Sequence, residues 1–217
     1  GNQVFAGAQL ISSANARRDM LQSDLPSLNR TVGIAQTQIE KLRQAVSKEP
    51  DIGRRQKMRE QIKTREEYLQ TMTRLKITVP VITLDENTAI HDGKQEARIL
   101  FLGAGHTDGD IVLFLPAQKV VFAGYLFFNN AIPNVQDAGI LEWMKTLNGL
   151  LKLDADTFVP GHGPIGSKKD VEAFLRYLEE LKSLVSPAVE RGDSLEQATR
   201  DLRLPAKYSS YQFQNFF

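Results

Sequence analysis

The sequence predicts an α+β domain. Three observations carry that expectation. Residues 35–75 show helical spacing of apolar side chains, with Ile39, Leu42 and Val46 on one face and Met58, Ile62, Leu69 and Met72 on another. From residue 77 the period shortens to that of strands, in "ITVPVITL", "TAIHDGKQEARILFLGAG", "IVLFLP" and "KVVFAGYLFF". Two amphipathic helices then interleave with one more strand, which is the layered pattern of mixed sheets.

Each element has a local reason. Residues 3–11, "QVFAGAQLI", are apolar and β-prone and read as a strand, and "SSANARRDM" as a turn entering a short helix. "KEPDIG" breaks the helical stretch with a Pro and a Gly, so 35–49 and 54–75 form a hairpin. "ITVPVITL" reads as an edge strand because Pro80 has no N–H to donate to a ladder. Asp92-Gly93 signals a tight turn between two strands. "IVLFLP" and "KVVFAGYLFF" are continuous apolar runs, expected to be buried on both faces or nearly so. Residues 137–152 carry Ile140, Trp143, Met144, Leu147 and Leu151 at helical spacing, and 168–190 carry the clearest apolar stripe, from Val171 to Val185. Ser194 and Gln197 form a capping-box pattern at the head of a last helix.

Composition excludes some chemistry. Lys and Arg total 27 against 26 Asp and Glu, so charge gives no reason for a nucleic-acid partner. The basic residues of the hairpin (Arg54, Arg55, Lys57, Arg59, Lys63, Arg65) are offset by Glu60, Glu66 and Glu67 and lack interleaved aromatics, so a solvated helix face is expected. There is no cysteine, which removes disulfides and thiolate metal sites. A metal would need His or oxygen ligands. No apolar run is long enough to cross a bilayer. The chain opens "GNQVFAG" without an initiator Met and closes on "YSSYQFQNFF", as a processed or truncated protein would.

Three strand ends carry unusual residues: His106 after "RILFLGAG", Tyr125 after "KVVFAG" and His162 after "TFVPG". Glycines frame all three, among them Gly161 and Gly163, and permit turns and close approach closed to other residues. An imidazole held in "PGHGP" is rigidly placed, as a ligand or catalytic group must be. His91, beside a turn, reads as an ordinary surface residue.

"GHTDGDIVLFLPAQKVVFAGYLFF" followed by "DTFVPGHGP" resembles the metallo-β-lactamase superfamily, in its glyoxalase-II-like and periplasmic zinc-metallohydrolase branch. The resemblance implies an αββα sandwich, here N-terminally truncated, forming one partial domain over 1–217 with the helical hairpin 35–75 inserted. It implies one or two zinc ions at the sheet edge, with metal-bound hydroxide attacking an ester, thioester or amide. His106 and His162 match two of the family's metal-binding histidines, assigned to different metals. Asp110 matches an acid that supports the site, and as a turn carboxylate it would accept backbone N–H bonds.

Two departures limit the match. The motif H-x-H-x-D-H is not in this chain. Tyr125 stands where the family has a bridging aspartate. A phenol titrates near pH 10, is neutral at pH 7 and offers one oxygen. Zinc needs three or four protein ligands, so weak or absent binding and little hydrolysis are expected. The alternative is a metal-free member acting as a binding or structural module. A small-molecule substrate is expected, with no membrane insertion. A homodimer is compatible with the hairpin or with sheet edges left open by truncation. The compartment stays open between bacterial periplasm and cytoplasm.

Overall fold

The computed structural model describes residues 2–5 and 7–213. Gly1, Ala6 and the last four residues of the aromatic tail, 214–217, lie outside the described residues. The chain divides into two compact units, Gly1–Ile11 with Asn15–Thr83, and Ser12–Ala14 with Leu84–Phe217.

The first unit is mainly helical. Among the described residues the strand expected over 3–11 is not formed; a 3-10 turn covers Asn2–Val4 and only β1, Ile11–Ser13, is extended. Turn bonds from the Phe5 N–H to the Asn2 carbonyl and from the Ala8 N–H to the Phe5 carbonyl use backbone groups that a ladder would need. After the short α1 (Ala14–Asp19) come α2 (Leu25–Lys48) and α3 (Ile52–Thr73). The hairpin is real, but its first helix starts at Leu25 rather than at residue 35, because the polar stretch "LNRTVGIAQTQ" hid its periodicity. Asp51 starts α3 by accepting from the Arg54 N–H at 2.7 Å. Glu66 pairs across the hairpin with Arg43 at 2.6 Å, rather than within α3.

"ITVPVITL" also yields less strand than expected: only β2, Ile82–Leu84, is extended. Pro80 cannot donate, and its carbonyl accepts from the Arg17 guanidinium at 3.0 Å instead of a neighbouring strand. β1 and β2 form a two-stranded sheet.

The second unit is built on a five-stranded sheet in the order β3 (Thr88–Asp92), β4 (Gln95–Leu100), β5 (Val112–Leu115), β6 (Val120–Phe128) and β7 (Thr157–His162). β3 to β6 run antiparallel and β7 runs parallel to β6, a pairing that requires a crossover. That crossover is α4, Ile140–Leu150. Asp92 pairs with Gln95, so Gly93-Lys94 makes the two-residue turn, with Gly93 left-handed at φ +60°. His91 is an exposed residue of β3 opposite Glu96.

α4 and α5 (Lys168–Arg191) pack on one face of this sheet. Val112, Phe114, Val121, Ala123 and Phe158 on that face join Trp143, Leu147, Leu150, Phe174 and Leu178 in the core. Of the runs "IVLFLP" and "KVVFAGYLFF", only the end of the second, Leu126, Phe127 and Phe128, is buried on both faces; Leu113 and Phe122, opposite each other in the register, are exposed. α5 ends at left-handed Gly192, and the capping box of α6 (Leu195–Asp201) is formed as expected, with Ser194 and Gln197 each accepting the other's backbone N–H. Among the described residues no helix is long and apolar enough to cross a membrane.

Burial sets the energetics of α4. Leu147 is fully buried, whereas Leu195 is 84% exposed. Leu147→Ala is expected to lower unfolding free energy by about 3 kcal/mol, and Leu195→Ala to stay within about 0.5 kcal/mol. Paired denaturant titrations check this; equal effects would contradict the core assignment.

Candidate functional site

The three residues singled out in the sequence come together, though not all at strand ends. β4 stops at Leu100, so His106 sits in the loop 101–111. The loop leaves the sheet where the Phe101 N–H donates to the Asn87 side chain at 2.7 Å instead of continuing the ladder. Tyr125 lies inside β6, at an irregularity in its pairing with β7 where Gly124 is left-handed at φ +54°. His162 is the last residue of β7, in register with Phe128, and its carbonyl accepts from the Asn129 N–H at 3.0 Å.

Glycine makes the close approaches possible at two points. A Cβ on Gly161 would lie 2.1 Å from Cδ1 of Tyr125, so the bare backbone is what admits the phenol ring. A Cβ on Gly163, at φ +92°, would lie 1.8 Å from the Asn129 carbonyl oxygen. Asn129 holds the same turn from the other side, donating through Nδ2 to the Pro164 carbonyl at 3.0 Å.

The result is a cluster of rings, one pair stacked and the others edge-on or tilted. Tyr125 lies 5.1 Å from His162, nearly parallel, and 5.0 Å from His106, edge-on. Phe128 lies beneath both imidazoles, at 5.5 Å from His162 and 6.0 Å from His106. Phe213 meets His162 edge-on at 4.9 Å. These rings, with Ile132 and Asn134, line an open pocket of about 400 Å³. Trp143, fully buried, lies 5.9 Å behind His106 and donates its indole N–H to the Leu126 carbonyl at 2.9 Å.

Asp110 is not part of the pocket's lining. Its carboxylate accepts from the Thr107 N–H at 2.9 Å and from the Thr107 hydroxyl at 3.3 Å, closing the His106 loop as a turn carboxylate. Burial raises its pKa, against the lowering effect of those bonds. The Ser13 hydroxyl braces the same loop by donating to the Gly109 carbonyl at 2.7 Å. Burial pushes the His106 imidazole below its usual value, opposed by the charges of Asp110 and Asp137.

The donor set can be weighed against zinc. The pocket presents two imidazoles, one phenol and one carboxamide. Among the described residues no group of three or more His, Cys, Asp or Glu is placed to hold a metal. A zinc site takes three or four His, Cys or carboxylate ligands, and the phenol ring packs against both imidazoles. The residues present do not fit a zinc centre.

Sequence reasoning missed Phe128, Phe213, Asn129 and the part played by Trp143. Phe128 and Trp143 read simply as core, and no spacing rule marks Phe213. The polar pair "NN" closing an apolar strand was the one available signal for Asn129.

Comparison with known proteins gives the family. The sequence pattern of the metallo-beta-lactamase superfamily matches residues 38–162, ending on the second site histidine. That match covers more than half of the chain, and the chain belongs to the metallo-beta-lactamase superfamily. It is a member by descent of a hydrolase-type family with an α+β fold. The chain is 35% identical over 77 residues to a metallo-beta-lactamase type 2 of Bacteroides fragilis, covering 33% of this chain and 31% of that protein. It is 30% identical over 94 residues to the type 2 enzyme of Bacillus cereus, covering 41% and 37%. A solved metallo-beta-lactamase from Pontibacter korlensis shares 30% identity over 47% of this chain and 50% of that one, with a TM-score of 0.45. The chain thus spans about a third of the length of the curated relatives it matches.

Two outcomes follow from the site's construction. Gly163→Ala is expected to cost more than about 3 kcal/mol, because it adds both a left-handed alanine and a backbone clash; a thermal melt within a degree of the parent would contradict this. The His106 imidazole, followed by NMR, is expected to titrate below about 6.5. Because the folded value lies below the unfolded one, its contribution to stability is full above the unfolded pKa and is lost as pH falls through the folded pKa. A midpoint above 6.5 would contradict the desolvation argument.

Proposed function

We propose that this chain descends from zinc-dependent hydrolases of esters, thioesters or amides, and that its own residues hold zinc weakly or not at all. What it retains is a ring-lined pocket for a small molecule. The observation that carries this reading is the position of Tyr125: at the aspartate position of the family resemblance, its ring lies edge-on to one imidazole and stacked on the other.

A second reading, a metal-free binding module, has its own support. Tyr125 is 45% exposed while Phe128 beneath it is 4% exposed, so the pocket offers a ring face on an apolar floor. Such a surface suits a flat, largely apolar ligand. Asn134 at the rim adds one carboxamide for orientation.

Elemental analysis and calorimetric zinc titration of the chain beside Tyr125→Asp test the proposal. The parent is expected to bind zinc at least about tenfold more weakly than the variant, a difference of about 1.4 kcal/mol. A parent chain that binds one zinc tightly, or a variant with no gain, would overturn the assignment of Tyr125 as the lesion.

A further inference from the structure

The outer side of α5 carries a second feature, unrelated to the ring pocket. A groove of about 550 Å³ runs along its C-terminal half, walled on the other side by Val135, Ile140 and Leu141. Two neighbouring rows of α5 line it, each stepping by four residues along one helix face: Leu181, Val185, Val189 and, beside them, Lys182, Ser186, Glu190. The first row is apolar yet poorly covered. Val189 is 69% exposed, and Leu141 across the groove is 52% exposed. The second row reads positive, neutral, negative. Among the described residues neither Lys182 nor Glu190 forms an ion pair.

This charge order selects an occupant. A segment of one charge sign would meet attraction at one end and repulsion at the other. A second copy of α5, turned end for end about a two-fold axis between Val185 and Ser186, matches both rows at once. Leu181 then faces the partner copy's Val189 position, Val185 packs near its own equivalent, and each Lys182 reaches the Glu190 position of the other copy. Lys182 and Glu190 are eight residues apart, about 12 Å along the axis, so the two cross-copy pairs flank the apolar centre symmetrically. Self-complementarity of this kind is what an isologous two-fold interface demands. We infer that this groove is a homodimer interface formed by antiparallel pairing of the C-terminal half of α5, locked at each end by a Lys182–Glu190 pair between copies.

The charges make the inference testable without disturbing the core. Sedimentation equilibrium of the 217-residue chain, from low micromolar to submillimolar, is expected to show a monomer–dimer equilibrium. Val185→Glu, which places like charges on the two-fold axis, should weaken it at least about tenfold. Lys182→Glu should weaken it about tenfold through two repulsive pairs, and adding Glu190→Lys should restore it, because the swap regenerates both pairs. Circular dichroism melts confirm that each variant is folded. A monomer at every concentration overturns the inference. So does a dimer indifferent to Val185→Glu, or a double charge swap no better than the single reversal.

Discussion

The site depends on one buried interaction, the indole of Trp143 donating to the Leu126 carbonyl. Tyr125 precedes Leu126 on the irregular part of β6, where the pairing with β7 shifts register. The bond ties α4 to that part of β6. The same indole lies behind His106, and together with Leu126 it leaves no room for a side chain at residue 105: a Cβ on Gly105 would lie 2.2 Å from Leu126 and 3.0 Å from Trp143. One side chain therefore fixes the strand that carries Tyr125 and the loop that carries His106. The third member, His162, comes from β7, which can run parallel to β6 only because α4 makes the crossover.

With the backbone placed in this way, the chemistry turns on residue 125. A carboxylate at this point would face two imidazoles with two charged oxygens. A tyrosine instead brings a ring, and the ring packs. Gly161 leaves the space it occupies, and Phe128 supplies the floor. The loop, the irregular strand and the glycine turn are held by packing and backbone bonds, while the pocket's lining is largely aromatic.

Much of this was legible in the sequence. The helical spacing of 168–190, the tight turn after His91 and the Ser194 capping box are local features that local rules read correctly. The glycine framing of His106, Tyr125 and His162 pointed to one site, and those residues do converge. What was not legible was non-local. The strand expected over 3–11 lost to turn bonds among its own first residues. Pro80 lies before a strand rather than within one, its carbonyl taken by Arg17. The apolar runs 111–116 and 119–128 gave no sign that helices would cover one face only until the last three residues of the second. Phe213 reached His162 through the tertiary path of the chain, which no short-range pattern encodes.

The central claim is that the Tyr125 ring occupies the ground between the two imidazoles and stays there when metal is offered. Nuclear Overhauser contacts from the Tyr125 ring protons to the ring protons of His106 and His162, recorded before and after addition of excess zinc, test it directly. The account predicts both contacts in the free chain, unchanged by zinc. Loss of those contacts, with the imidazole resonances moving together on zinc addition, would contradict it and show that the ring yields to a metal centre.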